Sequence, residues 1–214
     1  MRPEFSAAID PIFEATIHLM QQLESGIACS ASEHHAWLLS LFDRAETMLG
    51  RSKQWDLARY AIAVWIDEML LSIPWDGADW WRNHILEMEL FQTRICNVRF
   101  FELAREASGL ACRDALEVFY NCVVLGFRGM YSEYRLDENF AKQGGWPLSI
   151  DQWLSRNLAR LDVSLFEEHD VSPARVIRGA APLYGRYQLV WWSVAVLVLV
   201  LANGTVHQFL NAGK

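Results

Sequence analysis

Apolar residues recur every three or four positions along most of this chain, which is the spacing of amphipathic α-helices. The first such stripe lies within residues 12–23. Asp10 followed by Pro11 is a typical helix start, and Gly26 is a typical stop. The pattern therefore predicts a first helix that begins at Pro11 and ends before Gly26.

The same start and stop signals predict six further soluble segments. They are a helix between a Ser30–Glu33 capping box and Gly50, a helix at about 55–73 before Pro74, an aromatic loop at 75–83 with a short helix at about 85–91 after it, a helix at 97–109 capped by Asn97, an almost wholly apolar helix at about 113–127, and a helix at about 150–161 capped by Ser149. No segment alternates apolar and polar residues between hairpin turns. An all-α fold is the prediction.

Residues 189–202 are apolar except for Ser193, and the segment extends to 187–206 with interruptions mainly at Gln188, Asn203, Gly204 and Thr205. Twenty helical residues span about 30 Å, the thickness of a bilayer core. Arginines precede the segment, which favours a cytoplasmic N-terminal part. Tyr187, Trp191 and Trp192 suit an aromatic belt that anchors it at the lipid headgroups. The sequence predicts a single transmembrane helix at 183–206 with a periplasmic tail at 207–214; a buried core element is the alternative.

Composition excludes several classes of protein. The net charge is −7 and no run of Lys or Arg occurs, which argues against nucleic-acid binding and favours a basic protein partner. The four cysteines form no CxxC pair, and no metal-binding or cofactor-binding motif is present. We therefore expect no metal and no cofactor. The first residues lack the apolar core of a secretory signal, so the N-terminal part is expected to stay where it is synthesised.

Two adjacent carboxylates interrupt the third predicted helix. Asp67 and Glu68 lie in a segment that is apolar nearly all round, so each needs a partner, a cleft or a proton. Consecutive helical residues point about 100° apart, so that one can face a groove while the other meets a neighbouring helix. Two interpretations remain open. The carboxylates form a structural ion pair or helix cap, or they line a partner-binding cleft.

The predicted helix at 113–127 suggests a partner for this pair. Glu117, Asn121 and Arg128 are spaced by four and seven, which places them on one face. They form a candidate polar network in which Arg128 neutralises Asp67, Glu68 or Glu117. Gly126 and Gly129 flank Arg128 and would either allow a close backbone approach or end the helix.

Motifs for catalysis are missing from the sequence: there is no GxSxG, HExxH or phosphate-binding glycine loop. Glu87 and Glu89 are two apart and so lie on different helical faces, which suits an inter-helix contact and a solvent residue better than a catalytic dyad. The interpretation is a non-enzyme. A membrane-anchored hydrolase that uses Asp67 and Glu68 is the alternative from another class.

Several blocks in register resemble the DotU/TssL family of inner-membrane proteins from bacterial type VI secretion systems. They are RYAIAVWIDEMLLSIPW at 59–75, LEMELFQ at 86–92, RFFELA at 99–104 and LEVFYNCVVLGFRGMYS at 116–132. The resemblance covers most of residues 6–202 and is weakest over 133–182. A type IVB secretion DotU protein would share these features.

The resemblance implies a cytoplasmic domain at 1–182 made of two small helical bundles, hook-like, with a cleft between them. It places the family's acidic cleft pair on Asp67 and Glu68. It further implies a TssM/IcmF-like membrane partner, a TssK-like baseplate partner, self-association and contact with membrane lipid. Some relatives add a periplasmic peptidoglycan-binding domain; this sequence ends at Lys214, so attachment to the cell wall is expected to come from another subunit.

Overall fold

The structure, a computed structural model, describes residues 1–132 and 143–167, and most of these residues are helical. The helices are α1 (Pro3–Glu24), α2 (Ala31–Leu49), α3 (Lys53–Ser72), α4 (Ala78–Asn83), α5 (Leu86–Phe91), α6 (Cys96–Ser108), α7 (Asp114–Val124) and α8 (Ile150–Glu167), with the 3₁₀ turn at Gly129–Tyr131. No β-strand occurs in these residues. The all-α prediction is confirmed.

Helix α3 lies at the centre of the fold. Nearly all its side chains between Trp55 and Leu70 are buried, as its even apolar pattern predicts. It packs against α1 and α2 and also against α6 and α7, so these groups of helices share one core. The described helices accordingly fall within one compact unit.

Local capping signals in the sequence predicted several helix ends correctly. The Ser30 hydroxyl accepts from the Glu33 amide at the start of α2, and Gly50 ends that helix with φ of +67°. At the start of α8 the Gln152 amide donates to the Ser149 hydroxyl. Each signal involves residues within one helical turn, which is why the sequence reveals it.

Several predicted boundaries are wrong. Helix α1 begins at Pro3, not at Pro11, because Phe5 and neighbouring apolar residues extend the buried stripe toward the N-terminus. Residues 75–83 contain α4 rather than only a loop. Asn97 lies inside α6 instead of capping it, since the residue at the cap position is Ile95.

Helix α7 ends at Val124, short of the predicted Phe127. Gly126 adopts φ of +114°, its amide donates to the Val123 carbonyl, and the Phe127 amide donates to the Cys122 carbonyl. This pair of bonds is a Schellman motif, which stops a helix at a glycine. Arg128 therefore lies beyond the helix.

No helix within residues 1–132 and 143–167 is long and apolar enough to cross a bilayer. The predicted span at 183–206, with Tyr187, Trp191 and Trp192, lies outside the described residues.

Candidate docking site around the acidic pair

Asp67 is a buried capping residue. Its side chain lies in the core, with 6% of the residue exposed. The carboxylate accepts hydrogen bonds of 2.9 Å from the Leu86 and Glu87 amides and from the Trp81 indole. The residue at the cap position of α5 is Ile85, which has no side-chain acceptor. Asp67 therefore caps α5 from a different helix and ties α4 and α5 to α3.

Burial shifts the titration of this carboxyl group. It raises the pKa of Asp67 to about 6, although the hydrogen bonds from Glu87, Leu86 and Trp81 oppose the shift. The folded protein thus binds this proton more tightly than the unfolded chain, in which an aspartate has a pKa of about 3.9. The stability that results is fully present below about pH 4 and is lost as the pH rises through about 6.

We predict a pH-dependent difference in stability between the wild type and Asp67→Asn, which cannot titrate at this position. The free energy of unfolding of the wild type, relative to the variant, should rise by about 1 kcal/mol from about pH 7 to about pH 5. Denaturant titrations of both proteins at the two pH values measure this change. A constant or falling difference would contradict the shifted pKa.

Glu68 points toward the turn that follows α7 and remains partly exposed. Its carboxylate accepts from the Arg128 amide at 2.7 Å and from the Gly129 amide at 3.0 Å. Burial raises the pKa of Glu68 above its ordinary value, while these two amides lower it. The acidic pair is thus divided, as the helix geometry predicted: Asp67 faces a neighbouring helix and Glu68 faces the edge of the fold.

The candidate network of Glu117, Asn121 and Arg128 does not form. Because α7 ends at Val124, the Arg128 guanidinium instead donates to the Val123 and Phe127 carbonyls. It makes no ion pair with Asp67, Glu68 or Glu117 in the described part of the chain; it is the Arg128 amide that contacts Glu68. Glu117 pairs with the amino group of Met1, and Asn121 lines a groove.

That groove lies between α1 and the C-terminal end of α7. It has a volume of about 350 Å³, with apolar walls that include Phe13, Ile17, Val124 and Leu125. Val124 is 57% exposed and Leu125 is 39% exposed. The carboxylates of Asp10 and Glu14 also line it, together with Met1, Ile9 and Asn121. We call it the α1–α7 groove.

The backbone turn that follows α7 connects the α1–α7 groove to Glu68. The Leu125 carbonyl accepts from the Trp65 indole, and Trp65 contacts the groove residue Phe13 ring to ring at 5.0 Å. Glu68, one turn further along α3 than Trp65, binds the backbone at Arg128, just after the Gly126 turn. Glu68 and the groove therefore contact the same stretch of backbone at and just after the end of α7.

Glu87 is a polar residue whose structural role the sequence showed only in part. It was expected to make an inter-helix contact, and its Oε1 atom does accept from the Tyr60 hydroxyl, the Thr93 hydroxyl and the Ile95 amide, at 2.8 to 3.0 Å. Only 1% of the residue is exposed. Its neighbour in the pattern, Glu89, is exposed, as expected.

A second link joins two helices that are distant in the sequence. The Arg2 amide and guanidinium both donate to the Asp114 carboxylate, at 2.9 and 2.6 Å. Burial alone would raise the pKa of Asp114, but the Arg2 hydrogen bonds outweigh it and lower the pKa. These bonds hold the start of α1 against the start of α7 and so fix one end of the groove.

The arrangement does not suit hydrolysis by the acidic pair. Asp67 has both oxygens occupied by buried donors, and Glu68 binds the backbone of the turn after α7. A carboxylate dyad for general acid–base catalysis needs both groups within reach of the same substrate atoms. The hydrolase alternative has no support in this geometry.

Comparison with known proteins decides the family. A family model described as "Type VI secretion system protein DotU" matches residues 4–208, nearly the whole chain. The chain belongs to the DotU family. DotU proteins are structural components of the secretion system, and this chain is accordingly an inner-membrane component of a type VI secretion system.

A solved structure has a similar fold. The cytoplasmic domain of TssL from Acinetobacter baumannii aligns with 73% of this chain and 97% of its own length, at a TM-score of 0.56 and 21% sequence identity. A search of curated proteins gives no match. The type VI description of the matching DotU model also distinguishes the two secretion systems that the sequence alone left open.

Proposed function

We propose that this DotU protein holds a cytoplasmic docking domain at the inner membrane and captures the baseplate of the secretion system there. In this topology residues 1–182 are cytoplasmic, a single helix at 183–206 spans the membrane and residues 207–214 are periplasmic. The arginines before the apolar segment support the orientation. Tyr187, Trp191 and Trp192 anchor the helix at the lipid headgroups.

The α1–α7 groove is the observation that carries the docking proposal. Two large apolar side chains, Val124 and Leu125, remain exposed beside the carboxylates of Asp10 and Glu14. An apolar groove with charged groups beside it is a common form of protein-binding site. Its occupant is a segment of a TssK-like baseplate protein that inserts an apolar side chain and presents Lys or Arg to the carboxylates.

The acidic pair supports this site unequally. Glu68 is partly exposed and adds negative charge beside the C-terminal turn of α7, which favours the same basic segment. Asp67 acts from the core by holding α4 and α5 in place. Opposite charges across such an interface raise the rate and the specificity of docking more than the affinity.

Tethering makes weak contacts sufficient. A TssM/IcmF-like membrane protein and further copies of this chain keep several docking domains close together at one membrane site. Sites that are linked in this way bind a multivalent partner by effective concentration, so each groove needs only modest affinity. The protein then acts by geometry, and neither a cofactor nor a metal enters the mechanism.

Val124→Glu tests the groove. We expect it to reduce recovery of the TssK-like protein by about tenfold, because it places a charge on the apolar wall and repels the neighbouring carboxylates. Purification of the tagged full-length protein in mild detergent, followed by quantitative mass spectrometry, measures this loss. Recovery of the TssM/IcmF-like protein should be unchanged.

Met48→Glu is the matched control. Met48 is 51% exposed on α2, away from the groove residues, so the same charge is added to an equally exposed apolar position. Wild-type recovery of the baseplate protein with Val124→Glu, or an equal loss with Met48→Glu, would refute the groove as the docking site.

A further inference from the structure

A second cavity has the opposite charge. It lies between α6, the turn at 145–147 and α8, and has a volume of about 110 Å³. Its floor is apolar and is built from the buried residues Phe101, Pro147 and Trp153. Three arginines surround it, Arg105 from α6 and Arg156 and Arg160 from α8. We call it the arginine cavity.

Two of these arginines are held in place by the fold. The Arg105 guanidinium lies 3.7 Å from the centre of the Trp146 ring and donates to the Gly144 carbonyl at 2.7 Å. Arg160 donates to the Ser108 hydroxyl at 2.8 Å. Stacking and single hydrogen bonds fix a guanidinium while leaving other N–H groups for a ligand. Arg156 lies one turn from Arg160, so both are on the same face of α8.

Among the described residues, the positive charge of this cavity is not balanced by an ion pair. No carboxylate whose position the structure describes forms an ion pair with Arg105, Arg156 or Arg160. Glu106, next to Arg105 on α6, pairs with Lys53 instead. The chain as a whole carries −7, so three arginines together stand out against its acidic surface. Like charges that are held together repel, and an anion at their centre relieves the repulsion.

We propose that the arginine cavity binds an acidic segment of a partner protein. A Glu or Asp carboxylate accepts from Arg156 and Arg160 at the rim, where the planar guanidinium matches its two oxygens. The cavity has room for one side chain, and the aromatic floor suits an apolar residue beside the carboxylate. This surface is separate from the α1–α7 groove and selects the opposite charge, so one domain can hold two different segments in a fixed orientation.

The test uses the full-length protein in micelles of a neutral detergent. The probe is a fluorescein-labelled peptide of alternating Glu and Phe, and fluorescence anisotropy reports its binding. Arg156→Ala/Arg160→Ala should weaken binding about tenfold or more. The single variant Arg156→Glu, which leaves the contacts of Arg105 and Arg160 intact, should weaken it by a similar factor. A Lys/Phe peptide of the same length should not bind.

The control is Arg44→Ala/Arg51→Ala, which removes the same charge from exposed arginines of α2 and the following turn. It should change binding by less than about twofold. Failure of the wild type to bind the Glu/Phe peptide, or equal weakening by both double variants, would overturn the proposal. Displacement of the peptide by phosphatidylglycerol added to the micelles would assign the cavity to a lipid headgroup and would overturn it as well.

Discussion

Replacing Asp67 with alanine is expected to lower the free energy of unfolding by about 4 kcal/mol. The variant removes the only described acceptor of the Trp81 indole and of the Leu86 and Glu87 amides, and all three bonds are buried. Water cannot replace the carboxylate without opening the core, so the donors lose their partners outright. Chemical denaturation of the purified full-length protein, followed by near-ultraviolet circular dichroism of its tryptophans, measures the loss.

Asp79→Ala is the control for this prediction. Asp79 also lies near Trp81, but its side chain is 90% exposed and its ion pair is with Arg82 in the same short helix. Surface pairs of this kind contribute less than about 1 kcal/mol. If Asp67→Ala were as stable as Asp79→Ala, the carboxylate would not be the cap of α5.

The burial of Asp67 changes how variants of the acidic pair are interpreted. In the described structure the Asp67 carboxylate binds only internal donors. If an Asp67 variant loses partner binding, the first explanation is therefore displacement of α4 and α5, not loss of a direct contact between Asp67 and the partner. Glu68 is partly exposed and can be changed with less damage to the core. The two residues that the family resemblance joins as one cleft pair therefore have to be tested separately.

Sequence reasoning succeeded where the determining residues are close together. The Ser30 and Ser149 caps and the Gly50 stop were found because each acts within a turn of its helix. The end of α7 was left open: Gly126 was recognised as a stop or a site of close approach, and the positive φ of +114° decides for the stop. The prediction that Arg128 shares a helical face with Glu117 and Asn121 is wrong because α7 ends before Arg128.

Contacts between distant residues could not be found in this way. Asp67 caps a helix that begins 19 positions later, and Arg2 binds Asp114 across 112 positions. The apolar helix around Asp67 indicates that this carboxylate needs a partner but not which one, and nothing in the local pattern indicates the contact between Arg2 and Asp114. The groove that Val124 and Leu125 line was missed because an apolar residue at the end of an apolar helix is expected in the core, and it is the turn at Gly126 that leaves these two exposed.

Replacing Glu87 with alanine should cost about 3 kcal/mol, the second largest effect that we expect. A single oxygen of Glu87 accepts from Tyr60 on α3, from Thr93 and from Ile95, so one atom joins α3 to the segment that leads into α6. Burial and the hydrogen bond to Glu87 both raise the pKa of Tyr60, so its hydroxyl keeps its proton and its need for an acceptor. Alanine leaves that hydroxyl unpaired in the core.

Glu87→Gln isolates the hydrogen bonds from side-chain packing. Glutamine keeps the shape and the acceptor oxygen, so it should retain most of the stability that alanine loses, with a cost below about 1.5 kcal/mol. Glu89→Ala, at an exposed position of the same helix, should change the free energy of unfolding by less than about 0.5 kcal/mol. Denaturant titrations of the three variants under one condition rank them. Equal losses with glutamine and alanine would show that the charge of Glu87, rather than its acceptor oxygen, joins α3 to α6.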